Sequence, residues 1–177
     1  HNKSEKKFLN KIGFNYKYII QVNGSGINLS KFKFLNYYKK ISNNFIFIGR
    51  LIADKGIYEL INAVKFYNEN EIKKIKLTLA VLIDEDNATS IKFHQLKKKL
   101  IGHNIILKKN IKNVRNLLKY NGCLILPSYS EGMSRSIMEA ISSGRPIICS
   151  NISGCKEMVI DNFNGFLIKP KSAKSIY

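Results

Sequence analysis

The run FIFIGRLIADKGIYELINAV, Phe45 to Val64, decides the fold. Phe45 to Ile48 is short and wholly apolar and ends at Gly49, the pattern of a strand buried on both faces. Beyond the turn, Ile57, Leu60, Ile61 and Val64 recur at helical spacing, and Asp54 is a candidate N-cap. The stretch predicts a strand, a turn and a helix.

The unit then recurs toward the C-terminus. Strands are predicted at Lys76 to Ile83, Asn104 to Leu107, Cys123 to Leu126 and Pro146 to Cys149. Between them, Ala88 to Leu100, Val114 to Tyr120 and Arg135 to Ser143 read as helices, the last closed by Gly144. Upstream, residues 2–12 predict a short helix, and Tyr18 to Val22 a strand running into the turn Asn23-Gly24-Ser25-Gly26. Alternating apolar strands and amphipathic helices imply right-handed crossovers and an α/β, doubly wound parallel sheet covered on both sides. Ligands of such sheets bind in the crevice at the carboxyl ends of the strands. That directs attention to residues 49–55, 84–87, 108–111 and 128–135.

Composition sets the outer limits. With 177 residues, 45% of them hydrophobic and 24% charged, the chain has the makings of a single globular core. Its longest apolar stretch, Leu77 to Ile83, is far short of the ~20 residues of a membrane-spanning helix. Cys123, Cys149 and Cys155 are odd in number and form no CxxC pair, so neither disulfides nor a zinc site is expected and a reducing compartment fits. His1, His94 and His103 never approach metal-ligand spacing.

The formal net charge is +18, from 30 Lys and Arg against 12 Asp and Glu, and only Arg50, Arg115, Arg135 and Arg145 are Arg. Two readings stand: solvated Lys-rich faces reflecting a coding bias, or attraction to nucleic acid, an acidic membrane surface or a phosphorylated substrate. Nucleic-acid readers cluster Arg and interleave aromatic residues. The chain has no such cluster, so a nucleic-acid partner is not expected.

Two strand ends carry chemistry. After the first strand, Arg50 and Lys55 flank a turn that opens a helix, where backbone N–H groups favour an anion; a solvated turn is the alternative. After the strand Cys123 to Leu126 comes PSYSEGMS, Pro127 to Ser134, and then the helix beginning at Arg135. Ser134 can cap that helix, and Gly132 permits close approach of a ligand. On a helical wheel Ile137, Met138 and Ile141 face the core, while Arg135, Glu139 and Ser142 share the other face. Arg135 and Glu139 are then either a surface pair worth ~0.2–0.5 kcal/mol or part of a site. In the second case Glu131 and Glu139 face a polyhydroxylated ligand whose phosphates rest on the helix start. No GxxxxGK[ST], GxGxxG, GxSxG or HExxH is present, and Asp84-Glu85-Asp86 reads as a polar loop.

These motifs, in this order, resemble the C-terminal, donor-binding domain of the retaining glycosyltransferases of family 4, which have the GT-B architecture of two Rossmann-like domains. The resemblance runs through VNGSGINLSKF (Val22 to Phe32), IGRLIADKGIYELINA (Ile48 to Ala63), LPSYSEGMSRSIMEA (Leu126 to Ala140), GRPIICS (Gly144 to Ser150) and GCKEMVIDNFNGFL (Gly154 to Leu167). EGMSRSIMEA is similar to the family's signature of two Glu separated by seven residues. The resemblance implies that residues 1–177 are one nucleotide-sugar-binding half of such an enzyme, lacking the N-terminal acceptor domain and the closing C-terminal helices, and inactive alone. It implies that Arg50 and Lys55 hold a diphosphate with help from the backbone of Gly132, Met133, Ser134 and Arg135. Glu139 would bind ribose, Glu131 would contact the donor sugar or help stabilise charge at its anomeric carbon, and Lys109, Asn110 and Ile111 would carry the base contacts, largely through backbone groups.

The implied reaction is metal-independent retaining transfer of a hexose or N-acetylhexosamine, from a UDP-linked donor to a glycan or lipid-linked acceptor. It implies cell-envelope glycan synthesis in the cytoplasm, peripheral to the inner face of the membrane, with no cofactor beyond the nucleotide sugar as co-substrate. Two departures stand out. Asp84-Glu85-Asp86 replaces a customary Gly-rich turn, and Met133-Ser134 stands where a Phe-Gly pair is common. A basic α/β module binding nucleic acid or another polyanion, and a phosphate-binding regulatory domain without catalysis, are the competing readings.

Overall fold

The computed structural model describes residues 3–20, 22 and 24–177, with the side chain of Lys3 left undescribed. His1, Asn2, Gln21 and Asn23, on which parts of the N-terminal expectations fall, lie outside the described residues. The strands are β1 (Asn44–Arg50), β2 (Lys76–Leu82), β3 (Ile105–Lys109), β4 (Cys123–Leu126), β5 (Ile147–Ser150) and β6 (Gly165–Ile168). The helices are α1 (Lys3–Lys11), α2 (Ile57–Asn70), α3 (Phe93–Lys99), α4 (Val114–Tyr120), α5 (Arg135–Ser142) and α6 (Ala173–Ile176).

The strands form one sheet in the order β3-β2-β1-β4-β5-β6, and every neighbouring pair is parallel. That is the doubly wound order expected from the alternation, and it places the reversal of strand order between β1 and β4. The central strands are apolar because helices cover both faces: all four residues of β4 are buried, as are Leu77 to Val81 of β2. Against the sheet α2 buries Ile57, Leu60, Ile61, Ala63 and Val64, and α5 buries Ile137 and Ala140. These join Phe47, Leu79, Leu124 and Leu126 in one core.

The N-terminal expectation changes. Tyr16–Tyr18 form a single 3₁₀ turn, and Ile19, Ile20 and Val22 are in no strand. Tyr18, Ile20 and Val22 are all exposed, so the described part of this segment has no sheet edge to satisfy its backbone. Asp54 is not a helix cap: it lies in a 3₁₀ turn, Ala53–Lys55, and α2 is entered through Gly56 in the left-handed conformation (φ 67°). A side chain at Gly56 would also collide with the Pro127 carbonyl, so the β1 turn and the loop after β4 touch backbone to backbone. The strand β6 was not anticipated.

Arg145, beside Gly144, is structural. Its guanidinium is 2% exposed and donates to the carbonyls of Leu118 (2.8 Å), Leu35 (3.0 Å) and Asn36 (3.2 Å), which fixes the chain before β1 against the sheet. A buried charge is tolerated there because three carbonyl dipoles replace its water.

Candidate functional site

At the carboxyl ends of β1 and β4, where the strand order reverses, lies an open cavity of about 420 Å³. Arg50, Lys55, Glu131, Met133, Ser134, Arg135 and Glu139 all line it. Eighty-nine residues separate Arg50 from Glu139, and the β1–β4 adjacency is what closes that distance. Gly132, Lys109, Asn110 and Ile111 lie outside the lining. Lys109 instead places its ammonium 5.2 Å from the Phe93 ring centroid, Asn110 turns the chain at φ 58°, and Ile111 packs on the core.

Four further lining residues escape sequence reasoning: Lys31, Phe32, Lys112 and Leu82. Lys31 and Phe32 close the VNGSGINLSKF motif, and Lys112 directly follows the Lys109 to Ile111 segment, so neighbourhood to a motif was the available signal. Gly24 belongs here too. A Cβ at that position would stand 3.1 Å from the Met133 side chain, which brings the N-terminal Gly-rich turn onto the loop after β4.

Lys55 and Glu131 form an ion pair more enclosed than Arg50–Asp84. Their Nζ–Oε1 distance is 2.6 Å, with side-chain exposures of 14% and 11%. The Ser128 hydroxyl donates to the same Oε1 at 2.7 Å. The loop carrying Glu131 is docked on the turn carrying Lys55 by further contacts. Tyr129 N–H donates to the Asp54 carbonyl (2.8 Å), and the Tyr129 hydroxyl donates to Glu59 of α2 (2.6 Å). Burial first, then the Glu59 carboxylate, pushes the Tyr129 phenol up to about 12, so it stays a donor at neutral pH. A side chain at Gly154 would strike the carbonyls of Glu131 and Gly132, so the loop is held from that side as well.

Glu139 is not half of a surface pair. Arg135 Nε donates to its Oε1 at 3.0 Å, but the Arg side chain is 67% exposed and the Glu side chain only 8%. Burial raises the Glu139 carboxyl above the usual carboxylate range, against the opposing pull of Arg135 and, more weakly, Lys31. A carboxylate held in a cavity wall beside cations is an acceptor placed for a donor-rich ligand. Ser134 occupies the N-cap position of α5, yet its hydroxyl makes no capping bond and pairs instead with the Ser136 hydroxyl at 3.0 Å.

Arg50 is differently placed. It bonds Asp84, just past β2, at 2.8 Å, with side-chain exposures of 51% and 25%. The cavity thus gathers the cations of Arg50, Lys55, Lys31, Lys112 and Arg135 against the carboxylates of Glu131 and Glu139, an excess suited to a polyanion carrying hydroxyl groups. Among the described residues no group of three or more His, Cys, Asp or Glu is arranged to hold a metal ion, and no helix is long and apolar enough to cross a membrane.

Known proteins resemble this chain in sequence and in fold. The family described as glycosyl transferases group 1 matches residues 32–177. The chain is 32% identical to the UDP-Gal:alpha-D-GlcNAc-diphosphoundecaprenol alpha-1,3-galactosyltransferase of Escherichia coli, over 72% of this chain and 33% of that protein. It is 31% identical to TuaC of Bacillus subtilis, a putative teichuronic acid biosynthesis glycosyltransferase, over 74% of this chain and 30% of that protein. The structure of HepE from Anabaena in complex with UDP-glucose superposes with a TM-score of 0.80 at 16% identity, over 99% of this chain and 50% of that one. The chain spans under half the length of the curated relatives it matches first. With the family match running from Phe32 through every strand and the cavity between β1 and β4, this chain belongs to the glycosyl transferases group 1 family.

Proposed function

We propose that this chain supplies the donor site of a retaining, metal-independent glycosyltransferase and takes a UDP-linked hexose or N-acetylhexosamine for transfer to a glycan or lipid-linked acceptor. One observation carries the reading: Arg50, Lys55, Glu131 and Glu139, far apart in sequence, line a single cavity at the strand-order reversal. In this reading Arg50 and Lys55 hold the diphosphate, with the backbone of residues 132–135 presenting N–H groups at the start of α5. Glu139 accepts from the ribose hydroxyls, and Glu131, oriented by Lys55 and Ser128, faces the donor sugar. Lys112, which lines the cavity directly after residues 109–111, is the side chain of that segment placed toward the base.

The chemistry breaks the bond between the anomeric carbon and the diphosphate oxygen as an acceptor hydroxyl oxygen bonds to that carbon, and the hydroxyl proton passes to the departing diphosphate and from it to solvent. Negative charge grows on the departing diphosphate, and cations already in place stabilise it without reorganisation. Transfer also needs the acceptor held against the donor, so residues 1–177 alone bind nucleotide and transfer nothing. One relative above is named for teichuronic acid biosynthesis and the other for a diphosphoundecaprenol substrate, which supports a lipid-linked acceptor at the inner face of the membrane. No Asp or Glu occurs between Asp86 and Glu131, and eight lysines of that stretch, in α3, β3, α4 and their loops, are exposed. This basic stretch is proposed for peripheral contact with anionic lipid.

Calorimetric titration with UDP and uridine tests the donor site. Arg50→Ala should weaken UDP about 10- to 100-fold and leave uridine nearly unchanged, since a charge-assisted bond to phosphate is worth roughly 1.5–3 kcal/mol. Equal losses for both ligands, or none, would remove Arg50 from the phosphate site.

A further inference from the structure

Arg50, given to the diphosphate above, is engaged by Asp84, the first of three successive acids in the loop after β2. The contact follows from the sheet. Arg50 pairs in register with Leu82, Leu51 N–H donates to the Leu82 carbonyl at 2.8 Å, and Asp84 lies two residues further on. Both side chains are solvent-accessible, unlike Lys55 and Glu131, so their pairing exchanges readily for another anion. Glu85 and Asp86 follow on the exposed part of the loop, and the described structure pairs neither with Arg50.

We propose that Asp84 is a specificity-determining residue of the donor site: it competes with phosphate for Arg50 and thereby favours the intact nucleotide sugar over the released nucleoside diphosphate. The inference rests on the donor-site reading. A carboxylate beside the phosphate subsite penalises an anionic ligand in proportion to its charge. A nucleoside diphosphate carries roughly three negative charges at neutral pH, because the second ionisation of a terminal phosphate lies near pH 6. Its terminal ester, which is what a nucleotide sugar is, carries roughly two. Asp84 therefore repels the product more than the donor. After transfer, when the terminal phosphate has gained its extra charge, Arg50 returns to Asp84 and the diphosphate leaves.

The test is calorimetric, on wild type and Asp84→Asn, with UDP, its terminal methyl ester and uridine at low and high salt. The methyl ester removes the extra charge without presupposing which sugar is transferred. Asp84→Asn should tighten UDP about fivefold and the ester about threefold, leave uridine unchanged, and lose most of both gains at high salt. Asp84→Ser, with circular dichroism on both variants, guards against a local folding effect. If wild type binds UDP but Asp84→Asn binds it no better, or the ester gains as much as UDP, the inference fails and the donor site stands. If Asp84→Asn binds UDP more weakly, Asp84 orients Arg50 instead, and the inference fails. If wild type binds no UDP, the donor site falls and takes the inference with it.

Discussion

The two walls of the cavity are built differently. On the β1–β4 side, Lys55 and Glu131 are enclosed, Ser128 and Tyr129 tie their loop down, and Gly56 and Gly154 let backbones touch where any side chain would collide. On the β2–β3 side, Arg50 and Asp84 form an accessible ion pair and Lys112 stands exposed. Enclosed charges are fixed before a ligand arrives and cost little to use; exposed ones can exchange partners as a ligand comes and goes. One wall supplies orientation and the other supplies turnover.

The first wall can be attacked at its glycines, with Gly102, ahead of the amino end of β3 and away from the cavity, as the reference. Gly154 and Gly102 both have positive φ, 71° and 82°, so alanine strains either backbone. Only at Gly154 does the new Cβ also strike backbone, the carbonyls of Glu131 and Gly132. Gly154→Ala should cost roughly 3 kcal/mol or more in chemical denaturation, and Gly102→Ala roughly 1 kcal/mol. Similar losses would mean that the Glu131 loop yields easily and the first wall is not rigid.

The ion pairs give the next contrast. Lys55→Met takes the cation from an enclosed carboxylate and should cost about 2–4 kcal/mol of stability. Arg50→Ala, at an exposed pair, should cost less than about 1 kcal/mol. Thermal melts of both variants decide it, and a stability loss for Arg50→Ala as large as that for Lys55→Met would erase the distinction between the walls.

Glu139 offers a smaller, pH-dependent effect. Its carboxyl is raised in the fold, so the folded chain holds that proton more tightly than the unfolded chain, and stability from this group falls as pH rises through the carboxylate range. Glu139→Gln should therefore gain on wild type as pH rises past the ordinary Glu value of about 4.3. A difference that is flat with pH would place Glu139 in water.

Much of this was legible in the residues, for identifiable reasons. β1, β2 and β4 are central strands, and burial on both faces writes itself as unbroken apolar runs. Edge and terminal segments carry no such mark: β6 is four residues with an exposed Phe166, and the Tyr18 to Val22 run has strand composition but no described strand. Arg50, Lys55 and Glu131 stood out because they lie at or just after strand ends, and Glu139 because it sits on α5 with seven residues between it and Glu131. Lys31 and Lys112 reach the cavity only through tertiary packing of loops. The burial of Glu139 was hidden for the same reason: a helical wheel shows which residues share a face, and not that a second element covers that face.

The most direct measurement is an amide chemical-shift titration of the chain with UDP. Saturable shifts confined to residues 49–56, 82–84 and 132–139, with little change across α3 and the outer part of β3, are the predicted result. Shifts spread over the lysine-rich stretch of α3, β3 and α4, without saturation and abolished by salt, would show nonspecific attraction of a polyanion to a basic surface and contradict a donor site between β1 and β4.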